Sequence, residues 1–229
     1  MEKQALPASR MSRGETLVSL LWLPVHCLGL PLLLLRLFPG ISAARLNFWV
    51  YALGAGLLAL LCLRFLRRDF DRLWEAPLRV LGQAALGFAL ILAANAAMSL
   101  ALQAFFPQEN PNNQALLSLA RSERRAIIAV TVLLAPVLEE LIFRGGVFGL
   151  VRRKSRAAAY VLCVLLFAVY HTWQYALADP RNWLYLIQYL PAGFFLCRAY
   201  DKTECIWTGI FLHMLNNGVS LLALMLLEG

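Results

Sequence analysis

Three charged residues, Glu139, Glu140 and Arg144, lie near the middle of an apolar stretch, 126–150, that is long enough to cross a bilayer. Each such charge costs about 2.5–3.5 kcal/mol at the centre of a membrane helix, so this helix needs partners within a bundle. Glu140 and Arg144 can form an ion pair on one helical face, whereas Glu139 is turned about 100° from Glu140. Glu139 is therefore a candidate general base that activates a water molecule.

Two other apolar segments each contain a histidine with a companion residue four positions away. Phe167 precedes His171, and His213 precedes Asn217. His171 could hold the same water or share its proton, and Phe167 could restrict its imidazole. His213 and Asn217 can point at one atom, as two donors of an oxyanion hole do. The combination indicates hydrolysis of an amide, although each pair alone is more often a buried hydrogen-bonded contact between helices. The third histidine, His26, is interpreted as structural.

Two local features of the stretch 126–150 predict how it packs. Pro136 has no backbone N–H, which predicts a kink at that point. Gly145 and Gly146 have no side chains, which predicts the close approach of a neighbouring helix.

The elements that must position these groups are membrane helices. The 229 residues are 61% hydrophobic and only 15% charged, and the mean hydropathy is +0.66, which excludes a soluble domain of this size. We predict an all-α polytopic transmembrane helix bundle, a single integral membrane domain over 1–229, with a polar intramembrane cavity. About seven spans are expected (six to eight), namely 16–38, 47–66, 80–105, 126–150, 157–177, 183–197 and 205–227. The sixth is short and contains Pro191 and Gly193, so it is expected to be broken or partly re-entrant.

The net charge of +8 is interpreted through the membrane rather than through nucleic acid. The basic residues fall in short loops, where they act as topology signals and contact anionic lipids. Their distribution predicts a cytoplasmic N-terminus. The five cysteines contain no CxxC pair and are expected to be small core residues.

The three motifs together resemble those of the CPBP family of intramembrane proteases (CAAX protease and bacteriocin-processing, also called Abi), which includes the type II CAAX prenyl endopeptidases. The family motif Glu-Glu-x-x-x-Arg matches at Glu139, Glu140 and Arg144. The motif Phe-x-x-x-His matches at Phe167 and His171, and His-x-x-x-Asn matches at His213 and Asn217. The resemblance covers 126–220.

The resemblance implies an intramembrane endopeptidase in which Glu139 and His171 activate water and His213 and Asn217 stabilise the oxyanion. Glu140, Arg144 and Phe167 would support the site. The family is often described as metalloproteases, and Glu139, His171 and His213 could bind Zn²⁺ as three protein ligands. The chain has no HExxH motif, so the metal-free mechanism is preferred.

The expected partners are membrane lipids and a membrane-associated peptide or protein substrate, which could be lipidated or bacteriocin-like. The expected location is the bacterial plasma (inner) membrane, and no feature specifies an oligomeric state. Two other functions remain open at this point. One is a non-catalytic immunity or scaffold protein that binds a partner in the same cavity. The other is an ion-coupled transporter, which is disfavoured because the sequence has no internal repeat.

Overall fold

The computed structural model describes residues 9–105 and 109–227, and within these ranges all regular structure is helical. The predicted all-α bundle is thereby confirmed. We number nine helices in the described part of the chain: α1 Arg13–Leu37, α2 Ala43–Leu61, α3 Leu63–Glu75, α4 Pro77–Phe105, α5 Pro111–Ser122, α6 Arg124–Val151, α7 Arg156–Ala178, α8 Leu186–Thr203 and α9 Ile206–Leu227.

Six of these helices, α1, α2, α4, α6, α7 and α9, are long and apolar enough to cross a membrane. They correspond to six of the seven predicted spans. The predicted span 183–197 differs, because a short 3₁₀ turn, Pro180–Tyr185, precedes α8 and Pro191 lies inside that helix. The C-terminal part of α8 is also charged, so α8 does not qualify as a spanning helix by composition.

The predicted span 47–66 is shorter in the structure. The backbone leaves the helical conformation at Cys62, which ends α2 and begins α3. The sequence of α3 alternates basic and apolar residues at helical spacing, so this helix buries Phe65 and Leu66 while Arg64, Arg67 and Arg68 stay exposed. The second span is therefore Ala43–Leu61.

Helix α6 lies at the centre of the bundle. Of its most apolar window, 56% is buried inside the protein, compared with 11–33% for the other five candidate spans. It packs against α1, α2, α7 and α9. Gly145 and Gly146 make the close approach possible, since a Cβ atom added at Gly145 would collide with the side chain of Met11, and one at Gly146 would lie 3.1 Å from Cβ of Ser19.

Two π-helical segments, Val130–Leu134 and Leu141–Phe148, interrupt α6 on either side of the turn that carries the glutamates. The N–H of Ala135 donates to the carbonyl of Val130, five residues earlier, next to the missing donor of Pro136. The predicted distortion at Pro136 is therefore present as a π-helical turn. Such turns are frequent at functional sites.

A polar network at one end of the bundle fixes the first described residues to α3 and to the α8–α9 junction. The hydroxyl of Ser9 donates to Asp69 at 2.7 Å, and the backbone N–H of Ile206 donates to the same carboxyl at 2.7 Å. Glu204, whose φ of 54° is left-handed, accepts hydrogen bonds from Arg152. Burial raises the pKa of Asp69 from 3.8 to about 6, although the hydrogen bonds from Ser9 and Ile206 act in the opposite direction.

Candidate active site

The Glu140 carboxylate of α6 connects three parts of the site. It is completely buried, and its Oε1 accepts hydrogen bonds from Nη1 of Arg144 at 3.0 Å and from Nδ1 of His213 at 2.9 Å. The ion pair with Arg144 is the one that the sequence predicts. The bond to His213 joins α6 to α9 across a separation of 73 residues, and no local pattern predicts it.

Arg144 is fully buried, and its two terminal nitrogens and the face of its guanidinium are engaged. Its Nη2 donates to the carbonyl of Gly193 in α8 at 3.2 Å, and its guanidinium lies over the ring of Phe167 at 4.5 Å. The ring of Phe167 is also 4.5 Å from that of His171, which agrees with the predicted restriction of the imidazole. Phe167 thus lies between the structural ion pair and the histidine.

The ring of His171 has a defined tautomer. Its Nδ1 is 2.9 Å from the carbonyl oxygen of Phe167, and since a carbonyl only accepts, Nδ1 carries the hydrogen. Tyr189 stacks on the ring at 4.7 Å, and Tyr170 contacts it edge-on at 5.1 Å. Nε2 therefore presents its lone pair towards Glu139, whose Oε2 is 3.6 Å away.

Glu139 lies where the two imidazoles meet. Its Oε2 is 3.6 Å from Nε2 of His171 and 3.7 Å from Nε2 of His213. The residue is only 3% exposed, and Oε2 has no hydrogen-bonding partner among the described residues. Because Glu140 already accepts from Nδ1 of His213, the neutral form of that ring also directs a lone pair at Glu139. Glu139, His171 and His213 thus form one cluster, which we call the acceptor cluster.

Asn217, the remaining predicted residue, is engaged elsewhere. Its amide donates to the carbonyl of Thr131 at 3.1 Å, and its Oδ1 accepts from the amide of Asn216 at 3.3 Å. This contact attaches α9 to the first π-helical segment of α6. An oxyanion role for Asn217 stays a prediction, as does that of His213.

The acceptor cluster has the donor types that Zn²⁺ prefers, namely two imidazole nitrogens and a carboxylate oxygen. Its separations of 3.6 and 3.7 Å are slightly longer than the roughly 3.4 Å that tetrahedral coordination at zinc–ligand distances near 2.1 Å requires. In the described part of the chain, no group of three His, Cys, Asp or Glu residues is arranged to hold a metal ion. The donor types of the cluster thus suit zinc, whereas its separations are slightly wider than direct coordination requires, and metal dependence stays a prediction.

A cavity of about 320 Å³ between α1, α2 and α7 leads to His171, in agreement with the predicted polar cavity. Its polar lining includes His26, Asn47, Tyr51, Tyr170 and His171. A larger groove of about 890 Å³ at the α1–α2 loop is lined mainly by apolar residues such as Leu34, Leu37 and Phe38, and none of the acceptor cluster lines it. Of the acceptor cluster, His171 lines the smaller cavity, whereas Glu139 and His213 do not.

Sequence reasoning did not find Gly193, Gly209, Tyr51 or Tyr189. Gly209 on α9 makes room for the ion pair, since a Cβ atom there would lie 2.5 Å from Oε2 of Glu140. These residues belong to other segments and are brought to the site only by tertiary packing. A sequence signal existed for Gly193, which stands close to Pro191 in an apolar segment.

The fold and the site define an integral membrane protein whose helices enclose a cluster of a carboxylate and two imidazoles. Residues 121–219 match the sequence model of the family described as "Type II CAAX prenyl endopeptidase Rce1-like". This segment contains all three motifs. The resemblance to the type II CAAX prenyl endopeptidases is therefore confirmed for the segment that carries the site.

Two curated relatives are similar to the chain. "Putative membrane peptidase YdiL" of Bacillus subtilis (strain 168) is 32% identical over 111 residues, which are 48% of this chain and 41% of that protein. "Membrane-embedded CAAX protease MroQ" of Staphylococcus aureus (strain USA300) is 28% identical over 144 residues, 59% of this chain and 54% of that protein. The chain thus matches about half the length of these relatives. No solved structure matches it.

Proposed function

We propose that this protein is an intramembrane endopeptidase that hydrolyses a peptide bond of a membrane-associated substrate. The observation that carries the proposal is the acceptor cluster, in which Oε2 of Glu139 faces Nε2 of His171 and Nε2 of His213 in a buried position. The similarity to CAAX-type membrane proteases supports the same activity.

The cluster is suited to bind and activate water. Three proton acceptors face one another, so the molecule that satisfies them must donate hydrogens, and water can donate two. Glu139 removes one proton as the water oxygen attacks the carbonyl carbon, and His171 shares that proton. The C–N bond then breaks, and the proton passes to the departing amine nitrogen. Two acceptors acting together keep the attacking oxygen oriented throughout.

His213 and Asn217 are proposed to stabilise the oxyanion. In this role His213 takes its second proton from solvent before the attack, so Nε2 donates to the oxyanion instead of accepting, while Nδ1 still donates to Glu140. The amide of Asn217 has a second hydrogen besides the one donated to Thr131. In this scheme Glu140 and Arg144 do not react; they hold His213 and the turn that carries Glu139.

The substrate is proposed to enter from the lipid phase or from its surface, through the cavity beside His171. Lipidated and bacteriocin-like peptides both meet this description. The relatives named as a membrane peptidase and a CAAX protease come from bacteria, which supports a bacterial plasma membrane location. The basic loops support a cytoplasmic N-terminus.

The test is cleavage of a panel of quenched-fluorescent lipidated and unlipidated peptides by purified protein in lipid nanodiscs. We expect Glu139→Gln and His171→Ala each to lower kcat by at least about 100-fold, as the loss of a general base does. Glu123→Gln is the matched control, because Glu123 is a partly exposed glutamate that pairs with Arg45 away from the site.

The metal-free mechanism is tested in the same assay with a zinc chelator and by metal analysis of the protein. We expect chelation to leave the rate unchanged. Equal rates for wild type and Glu139→Gln would refute the peptidase proposal, and an inactive variant that still binds partners would favour the scaffold function. A rate that chelator abolishes and zinc restores would replace the metal-free mechanism with a zinc-dependent one.

A further inference from the structure

Two tyrosine hydroxyls beside the acceptor cluster form a pair that the proposed chemistry has not yet used. Oη of Tyr51 in α2 is 3.0 Å from Oη of Tyr170 in α7. A pair of hydroxyls has two hydrogens, and their mutual bond uses one. The hydroxyl that accepts this bond therefore retains a hydrogen that it can donate to a third group. A donor that also accepts a hydrogen bond is strengthened by it.

The pair lines the same cavity as His171, the member of the acceptor cluster that reaches it. Tyr51, Tyr170 and His171 all line this cavity, and the ring of Tyr170 contacts that of His171 edge-on at 5.1 Å. His171, which Tyr170 contacts, connects the pair to the acceptor cluster, since its Nε2 is 3.6 Å from Oε2 of Glu139. A substrate carbonyl presented to water at Glu139 would therefore lie next to this pair.

Both rings are fixed, which a preorganised donor requires. The ring of Tyr51 packs edge-on against the buried ring of His26 at 4.7 Å, and that of Tyr170 packs edge-on against Phe143 at 5.5 Å. Gly54 makes room for this arrangement, since a Cβ atom there would lie 2.8 Å from Nδ1 of His26. The contact with His26 thus positions the ring of Tyr51 beside Tyr170.

The cavity and the other candidate donors both favour a role for the pair. Among the described residues that line the cavity there is no Asp, Glu, Lys or Arg, so with neutral histidines its lining can stabilise a developing negative charge only through neutral donors. On α9, Asn217 and His213 each already donate one hydrogen, to Thr131 and to Glu140, which leaves each residue one further donor at most. Among the described groups beside His171, the tyrosine pair has a hydroxyl hydrogen that its mutual bond does not use.

We propose that the Tyr51–Tyr170 hydroxyl pair donates a hydrogen bond to the carbonyl oxygen of the scissile peptide bond. The pair would stabilise the oxyanion from the cavity side, in addition to any donor on α9. This inference rests on the proposed peptidase function and specifies how its substrate is held. The hydrogen bond from the pair is expected to be stronger in the transition state, where the carbonyl oxygen becomes negative, than in the bound substrate, where that oxygen is neutral.

The test compares kcat and KM of wild type with Tyr51→Phe, Tyr170→Phe and the double variant, on a peptide that the wild type cleaves. Phenylalanine keeps the rings and removes only the hydroxyls. We expect kcat of the double variant to fall by about 100-fold or more, in line with removal of an oxyanion donor, while KM changes less than threefold. We expect the product of the two single-variant losses in kcat to differ from the loss in the double variant, because the hydroxyls act as one unit.

The control is Tyr160→Phe, which removes a hydroxyl from the same helix where it donates to Asp201, outside the cavity. We expect its kcat to stay within about twofold of the wild type. Thermal unfolding of each variant shows whether the bundle is intact. If the folded double variant keeps wild-type kcat while Glu139→Gln is inactive, the tyrosine role is overturned and the peptidase function stands. If cleavage does not depend on Glu139, both are overturned.

Discussion

Replacement of Arg144 by methionine tests the energetic basis of the site. Arg144 and Glu140 are both completely buried and form an ion pair of 3.0 Å. Arg144→Met introduces an apolar side chain of similar length and removes the cation. The Glu140 carboxylate then remains in the protein interior with only the hydrogen bond from His213. An uncompensated buried charge is the most costly outcome of such a change.

The expected loss can be worked from the contacts. Breaking a buried ion pair by removing one partner costs about 3–5 kcal/mol. The contacts to the Gly193 carbonyl and the Phe167 ring would cost about 1.5–3 and about 2 kcal/mol if measured singly, but these values overlap and do not add. We therefore expect the free energy of unfolding to fall by about 3–5 kcal/mol.

The double variant Glu140→Gln/Arg144→Met separates charge burial from packing. It contains no uncompensated charge, so we expect it to be more stable than Arg144→Met alone. The assay is unfolding in mixed micelles of increasing SDS content, followed by the fluorescence of the six tryptophans. Arg45→Met is the control, because the Arg45–Glu123 pair is exposed and is worth only about 0–1 kcal/mol. A loss below about 1 kcal/mol for Arg144→Met, or a double variant as unstable as the sum of both singles, would refute the reasoning.

Three further predictions concern the surroundings of the site. Gly209→Ala places a methyl group 2.5 Å from Oε2 of Glu140, so it should lower stability by about 1–3 kcal/mol and reduce the cleavage rate. Met11→Ala empties the buried position against Gly145 and should cost about 2–5 kcal/mol in the SDS titration. Asp69 has its pKa raised to about 6, so the folded chain keeps this proton to higher pH than the unfolded chain. Its contribution to stability is complete below pH 3.8 and is lost as the pH rises through about 6; Asp69→Asn should flatten this slope, measured by thermal unfolding between pH 4 and 7.5.

Each of these predictions has a control or a contrary outcome. Gly56→Ala is the match for Gly209→Ala, because a Cβ atom at Gly56 meets nothing within 4 Å, and equal effects of the two would contradict the steric argument. Wild-type stability of Met11→Ala would mean that α1 and α6 do not depend on that contact. A pH slope that is the same in Asp69→Asn and wild type would assign the slope to another group.

The parts of the site that the sequence predicts are those decided by local spacing. Glu140 and Arg144 are neighbours on one helix, and burial in an apolar segment leaves each of them no better partner than the other. The predicted contact of Phe167 with His171 is likewise a consequence of four-residue spacing. The six candidate spans lie within the predicted six to eight, but hydropathy does not place the end of α2 at Cys62. It also does not exclude α8, which contains Pro191 and is charged at its C-terminal end.

The parts that the sequence does not predict are contacts between residues far apart in the chain. The bond between Glu140 and His213 and the pair of Tyr51 and Tyr170 span 73 and 119 residues. Helical spacing gives the face on which a residue lies, but the neighbour of that face depends on how the helices pack. The second imidazole at Glu139 is such a case: spacing groups His213 with Asn217, whereas packing places its Nε2 3.7 Å from the Glu139 carboxylate.

The π-helical turns of α6 show why a correct local prediction can still be incomplete. Pro136 cannot donate a backbone hydrogen bond, which predicts a distortion of the helix. That distortion could be a kink, an inserted water or a wider turn. Here the N–H of Ala135 reaches the carbonyl of Val130, so the helix widens. The first π-helical segment contacts a neighbouring helix, because the amide of Asn217 in α9 donates to the carbonyl of Thr131. Restoring the donor with Pro136→Ala should therefore alter the α6–α9 contact and the cleavage rate, even though residue 136 contributes no side chain to the acceptor cluster.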